Sequence, residues 1–472
     1  MATTSHWEFS VSPLSRPTNG ATAMRARTVL ALALTCLVMG ARPLLSLESG
    51  SSLQIHGFVS QGALITTKHN YIVSSSTQGS FELSEVALTA SAVPWDRLRI
   101  GMQLFARDLG DEGNYAVSID WAYGDFRLRD WLGVRAGRFK TPVQLYNQVR
   151  DIDAIRIPIF LPQAVYAEDI RENSLATDGV DLYGNIPLGY LGDVDYDAFV
   201  GTVNIQNANS RFQQERNTQA GEAGAAAMEQ GMAAFFPPGA VNVSYEGTDN
   251  QKAHFRYAGG GMLRWNTPLR GLMVGGSAVV RRLEESKTHR LVSAITLPQN
   301  PAPMKDALAI EGSADVSMLS YTGFAELQIG DFLLAAEADF LDMSMDVLVV
   351  PPAPQPAMNS TMNARTIGVY GLAGYRITSW MAVSAYYGSF RDLDDFDGSK
   401  AAAADPSMAT KDYFSWHNDA CASLRFDVTP YWLIKVEGHA FQGTARVLSI
   451  DNVGRSRTKD WGLIAGKTTF TF

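Results

Sequence analysis

Hydrophobic and polar side chains alternate with a period of two along most of this chain. Between Arg97 and Arg107, Leu98, Ile100, Met102, Leu104 and Ala106 fall on one face, and Arg97, Arg99, Gly101, Gln103 and Arg107 on the other, with Phe105 the exception. Tyr115, Val117, Ile119, Trp121 and Tyr123 then oppose Asn114, Ala116, Ser118, Asp120 and Gly124. Phe332, Leu334, Ala336, Ala338 and Phe340 oppose Glu337 and Asp339, while Phe414, Trp416, Leu424 and Phe426 oppose His417, Asp419, Arg425 and Asp427. Successive side chains of a strand point to opposite faces, so each stretch predicts a strand with one apolar and one polar face. A sheet on a soluble core and a lipid-facing barrel both produce this pattern.

The connections separate the two. The alternation predicts about sixteen strands, at 52–66, 80–92, 97–108, 114–126, 131–138, 178–187, 193–203, 252–266, 272–283, 316–329, 331–345, 363–377, 380–391, 412–428, 431–444 and 458–472. Every second connection is short: Val93 to Asp96, Arg127 to Asp130, Leu188 to Gly192, Thr267 to Gly271, Gly330, Thr378 to Ser379, and Thr429 to Pro430. The long ones include 139–177, 204–251, 284–315, 346–362 and 392–411. Short turns at one end, long loops at the other and an even strand number describe an all-β protein, a transmembrane antiparallel β-barrel. Trp95, Trp131, Trp380 and the pair Tyr431-Trp432 sit at the short turns, where an interfacial aromatic girdle belongs. The last strand, ending on Phe472, must pair with the first near Leu53 to Ile65 so that no edge remains. Gly221 to Phe236 is Ala- and Met-rich and predicts a short helix over the mouth, and Val349 to Pro356 is Pro-rich and extended. Gly259-Gly260-Gly261 falls inside a strand, where small residues permit bending.

Composition adds limits. The 472 residues carry a formal charge of -9, and 18% are charged against a norm of about 25%. After residue 45 no run approaches the roughly 18 apolar residues of a transmembrane helix. Met24-Arg25-Ala26-Arg27 is a short basic region, and Thr28 to Met39 is an apolar run too short to span a bilayer, followed by Gly40 and Ala41. Segment 24–46 is therefore expected to be a secretory signal peptide, 1–23 an upstream extension before a true start at Met24, and 47–472 the barrel. Cys36 lies in the apolar run, so loss of the signal leaves Cys421 alone and no intramolecular disulfide. The acidic balance excludes a nucleic-acid surface. No Cys/His cluster has metal-ligand spacing and no glycine loop precedes a helix to cradle phosphate, so no cofactor is expected.

The loop 139–177 holds Pro158, Pro162 and a dense mixture of both charges, and long loops inside compact proteins are usually functional. Arg97, Arg99, Arg107 and Arg135, on predicted strands three and five, form a candidate basic patch. Arg138 and the loop residues Lys140, Arg150, Arg156 and Arg171 add to it, opposed by Asp151, Asp153, Glu168 and Asp169. Strand parity also turns Arg256, Arg264, Arg425, Lys435 and Lys467 inward, against Asp120, Asp195, Asp197, Glu326, Glu337, Asp339, Asp419, Asp427 and Glu437. Such charges either line a pore and set its selectivity or pin the loop to the wall. No continuous basic track is present, and the pI of about 5.4 argues against strong anion preference.

The run Gly137-Arg138-Phe139-Lys140-Thr141-Pro142, then Leu145-Tyr146-Asn147, Arg150-Asp151, Leu161-Pro162-Gln163-Ala164-Val165-Tyr166 and Asp178-Gly179-Val180, resembles Gram-negative outer-membrane porins of the phosphate-selective (porin O and P) superfamily or their uncharacterised relatives. The resemblance implies that the third outside loop folds inward as a constriction and that the chain assembles as a homotrimer. It also implies contact with outer-membrane lipid and lipopolysaccharide, and Phe472 resembles the terminal signal read by the barrel assembly machinery. The function expected is passive diffusion of small hydrophilic solutes or ions, without enzymatic chemistry. Two alternatives are a plugged barrel with a structural or adhesive role and an outer-membrane hydrolase using His417, Asp419, His439, Ser415 and Ser423.

Overall fold

Sixteen strands form a closed antiparallel barrel in which each strand pairs with its sequence neighbours and the last with the first. They are β1 (Gln54–Thr66), β2 (Ser80–Trp95), β3 (Leu98–Asp108), β4 (Ser118–Arg129), β5 (Leu132–Lys140), β6 (Ala176–Pro187), β7 (Asp193–Thr202), β8 (Val241–Asn266), β9 (Leu272–Leu297), β10 (Asn300–Ile329), β11 (Phe332–Val350), β12 (Met358–Thr378), β13 (Met381–Asp392), β14 (Trp416–Thr429), β15 (Trp432–Gly443) and β16 (Asp460–Thr471). One helix, α1 (Arg211–Ala233), lies between β7 and β8. This computed structural model describes residues 53–472 apart from 205–209, 299, 352–356 and 396–411. The expected signal peptide, the upstream extension, most of connection 392–411 and the proline run after Val350 lie outside the described residues.

At the seam Phe58 faces Thr471 and Thr66 faces Leu463. One residue further, Gly57 and Phe472 exchange backbone hydrogen bonds of 3.1 and 3.0 Å. A Cβ on Gly57 would stand 2.5 Å from the Phe472 ring, so glycine here makes room for the terminal aromatic at the closure.

Side-chain parity follows the sequence. On β11, Leu334 is 48% exposed on the outer face, while Glu337 is 3% exposed on the inner one. Trp95, Trp131, Trp380 and Tyr431 are exposed at the short-turn end, where Trp380 stacks on Phe426 and Trp432 on Phe470. β4 starts at Ser118 rather than 114, because Gly113, Asn114 and Tyr115 take positive φ (77, 43 and 55°) and turn the chain before it can pair.

The larger departure is in β8 to β12. Connection 284–315 is not a loop: β9 and β10 pair in register from Leu272 and Leu327 out to Ile295 and Met304, and after a register shift Leu297 still faces Asn300. Connection 346–362 is likewise strand on both sides, and 204–251 holds α1 and the start of β8. β10 runs for 30 residues, whereas a strand tilted across a bilayer needs about 9–11. The outer face marks where the apolar band ends. Val280 gives way to Arg282 and Glu284 on β9, Leu319 to Asp315 on β10, Phe340 to Asp342 on β11 and Ile367 to Arg365 on β12. Arg282 pairs with Asp315 at 2.7 Å, and Arg256 with Glu284, all facing out. Charges on that face are tolerated beyond the hydrocarbon and not within it, so five strands rise past the band as a wall.

α1 leans on the inner side of this wall. Ser210 Oγ accepts from Gln213 N at 3.2 Å and caps the helix. Ala225 and Met228 pack against Val243, Leu291 and Ile310. The helix begins ten residues before the Ala- and Met-rich run, because Ser210 supplies the cap.

Candidate constriction site

The segment between β5 and β6 folds into the barrel. Its neck is closed by Thr141 N to Leu175 O at 3.0 Å and by the paired hydroxyls of Thr141 and Thr177 at 2.9 Å. Asn147 Nδ2 donates to the carbonyls of Thr141, Ser174 and Leu175 at 3.0, 3.2 and 3.3 Å, stapling the two limbs together. Gly137 has φ 127°, and a Cβ there would meet the Ala122 carbonyl at 2.4 Å, so this residue must be glycine for β5 to lie against β4.

From that neck the loop crosses the lumen and binds the far wall through acids and bases that strand parity had turned inward. Glu337 of β11 accepts from Leu145 N at 2.9 Å, Tyr166 Oη at 2.6 Å and Tyr370 Oη at 2.9 Å. Glu326 of β10 accepts from Tyr146 Oη at 2.6 Å. Glu437 of β15 accepts from Ile159 N at 2.6 Å and Phe160 N at 3.2 Å. Arg425 of β14 donates to the carbonyls of Ala154 and Arg156 at 2.5 and 3.1 Å. At Gly368 of β12 a Cβ would fall 2.0 Å from the Ala164 carbonyl, so glycine there lets the loop press onto the wall.

Ion pairs complete the docking. Asp153 takes Lys435 Nζ at 2.8 Å and Thr469 Oγ1 at 2.7 Å, with Lys467 Nζ at 3.6 Å and Arg156 at 3.7 Å. Lys140 bridges Asp120 and Asp151 at 2.5 and 3.1 Å, and Gln103 also donates to both carboxylates. Glu168 is held by Arg107 and Arg150, each at 2.9 Å, and Arg107 extends the cluster to Glu112 and Glu172. Arg150 also donates to the carbonyls of Tyr166 and Ala167 at 2.7 and 2.9 Å. Arg171 is buried with its guanidinium 4.7 Å from the centre of the Phe105 ring. Phe105 breaks the alternation of β3 on the inner face, where it packs against Phe58 and Ala87 and under this cation.

Burial pushes the loop carboxyls up, and the cations reverse it. Lys140 and Arg171 hold Asp151 below the usual carboxylate range, Lys435 and Lys467 do so for Asp153, and Arg150 and Arg171 for Glu168. For Asp169 burial wins over Arg446 and its carboxyl is raised.

Not all candidates meet. Arg97 and Arg99 are exposed at the short-turn end, donating to Leu128 O at 3.1 Å and Ser91 Oγ at 3.5 Å. With a rise of about 3.3 Å per residue, β3 carries Arg107 roughly 30 Å away from Arg97, so these arginines form no common patch. Arg135 belongs to a separate group on the wall. It sits 3.0 Å from Asp181, 3.5 Å from Asp197 and 3.8 Å from Asp125, and Arg264 reaches Asp197 at 3.2 Å. Arg138 pairs with Asp178 at 3.3 Å. Nearer the turns, Asn185 and Asn266 each bond to both Asp193 and Asp195 at 2.6 to 2.9 Å. The aromatic anchors Tyr166 and Tyr370 and the amide of Gln103 were absent from the charge-based reading, because Tyr166 lies in the loop, where parity does not apply, and parity turns Tyr370 and Gln103 inward without marking them as partners.

The hydrolase constellation does not assemble. Asp419 reaches His439 Nδ1 at 2.9 Å, but Ser415 bonds to Asp395 at 3.3 Å and His417 lies among the rings of Tyr71, Phe441 and Trp461. Ser423 donates to Glu437 at 3.2 Å instead of to a histidine. These residues are buried in the barrel, whereas a catalytic site would need them at the outer rim.

No family model matches the chain, and no curated protein matches it. Among solved structures it is similar to OmpF of Salmonella typhi in complex with daunomycin, at 12% identity and TM-score 0.49, covering 90% of this chain and 98% of that one. It is also similar to the outer membrane channel DcaP of Acinetobacter baumannii (11%, TM-score 0.44, 91% and 99% covered) and an anion-selective porin from Comamonas acidovorans (11%, 0.44, 90% and 100%). The wider resemblance to phosphate-selective porins therefore stands on the loop motif alone.

Proposed function

We propose that the protein is an outer-membrane porin, exported by its signal peptide, through which small hydrophilic solutes or ions diffuse down their gradient. The observation that carries the reading is the loop 141–175 drawn across the lumen of a sixteen-stranded barrel, narrowing it against one part of the wall. Toward the short turns, away from those anchors, β4 to β8 present Asp125, Asp181, Asp193, Asp195 and Asp197 against Arg135 and Arg264. Five acids against two bases leave a formal excess of three negative charges, and an acidic lining favours cations. Selection is steric and electrostatic, with no covalent step. A homotrimer, lipopolysaccharide contact and recognition of Phe472 by the assembly machinery belong to the same reading.

Planar-bilayer conductance of the purified protein tests it. Discrete channel steps with a reversal potential of cationic sign in a salt gradient are expected. The number of loop anchors supports a second reading, a barrel plugged by its loop for structural work, and the absence of channel steps would select it.

A further inference from the structure

We propose that Cys421, Glu437 and His439 form a binding site for one divalent transition-metal ion, zinc by the character of its donors, on the inner wall beneath the loop. Strand pairing makes a site that sequence spacing conceals. Cys421 of β14 faces His439 of β15 directly, and Ser423 faces Glu437. Glu437 and His439, two apart on one strand, point the same way.

His439 Nε2 lies 2.9 Å from Glu437 Oε1 and 3.8 Å from Cys421 Sγ, and the three donor atoms all fall within 4.8 Å of one another. Tetrahedral zinc with bonds of about 2.0–2.3 Å sets its ligands roughly 3.3–3.6 Å apart, so seating the ion takes movements of up to about 1.2 Å, the most the Cys421 and Glu437 donors need to close from within 4.8 Å. Thiolate, imidazole and carboxylate are the set that zinc takes, with a fourth position left for water.

The surroundings are those of a metal site. Asp419 lies 2.9 Å from His439 Nδ1 and orients the ring so that Nε2 faces Cys421 and Glu437. Ser423 Oγ lies 3.4 Å from the sulfur. Glu437 Oε1 also accepts from Phe160 N at 3.2 Å and its Oε2 from Ile159 N at 2.6 Å and Ser423 Oγ at 3.2 Å, so an ion here would also hold the loop to the wall.

Because the cluster is covered by the loop, loading belongs to folding.

The test is to refold the full barrel in detergent with Co2+ and to measure bound metal and the absorption spectrum, with heat-modifiable gel migration reporting the fold. About one Co2+ per chain, a thiolate-to-cobalt charge-transfer band and its displacement by Zn2+ are expected. Cys421→Ser should lose the band, and Asp419→Asn should weaken binding about 10- to 100-fold. Wild-type protein that folds without the band, or binds no more cobalt than Cys421→Ser, overturns the proposal and leaves a proton-bridged clamp. If Cys421→Ser does not fold, the wild-type spectrum decides alone, since Cys421 is the one cysteine after the signal segment.

Discussion

Two parts of the lumen wall use the same residue types for different ends. Where the loop docks, wall cations meet loop anions: Lys435 with Asp153, Lys140 with Asp151, Arg107 with Glu168. Toward the short-turn end of β4 to β8 the wall pairs with itself, Arg135 and Arg264 among aspartates of neighbouring strands. In the Asp153–Lys435 pair neither partner keeps water, both being 0% exposed, whereas the cations Arg135 and Arg264 keep 21% and 29% beside aspartates that are themselves nearly dry. An ion pair in a dry site is costly to break from one side. Pairs that remain wet contribute less to stability and more to the field felt by a passing ion.

The comparison is broken most severely at Asp153. Asp153→Ala strands Lys435 in a dry site and should cost about 3–5 kcal/mol, read as earlier thermal unfolding in detergent together with larger or noisier conductance. Gly368→Val forces the Ala164 carbonyl away and should cost about 1–3 kcal/mol of loop docking, seen as a raised single-channel conductance in a barrel that still migrates as folded.

Acid separates the two parts next. Asp151, Asp153 and Glu168 have depressed folded values, so their contribution is complete above the unfolded value of about 4 and fades only as pH falls through the lower folded values. Loop-dependent conductance should stay level from pH 7 to about 4 and rise below that, measured in symmetric salt. A rise between pH 6 and 5 would contradict the anchoring by these three groups.

On the bare part, replacing both Asp193 and Asp195 with Asn should shift the reversal potential toward anions and leave the unfolding temperature nearly unchanged. Arg99→Ala, at the exposed short-turn end, should change stability by no more than about 0.5 kcal/mol and leave conductance as it was.

How far the sequence reached differs by region. All sixteen strands were legible, because a lipid-facing side chain must be apolar on every second residue wherever the chain spans. The rise of β8 to β12 was not, since beyond the band the outer face carries Arg282, Glu284 and Asp342 and the period-two signal fades while pairing continues. The docking loop was legible as a place, from its length, prolines and charges. Its partners were not, because Asp153 and Lys435 stand 282 residues apart.

The sequence by itself determined the alternation, the turn positions and the inward parity of Glu337, Lys435 and Glu437, since these depend on neighbours two residues apart. Only the tertiary structure decided which inward charges meet the loop, which meet each other, and that Cys421 stands across from His439. Those choices follow from barrel closure and strand register. Both are global properties, set when every backbone group in the wall finds a partner on the next strand.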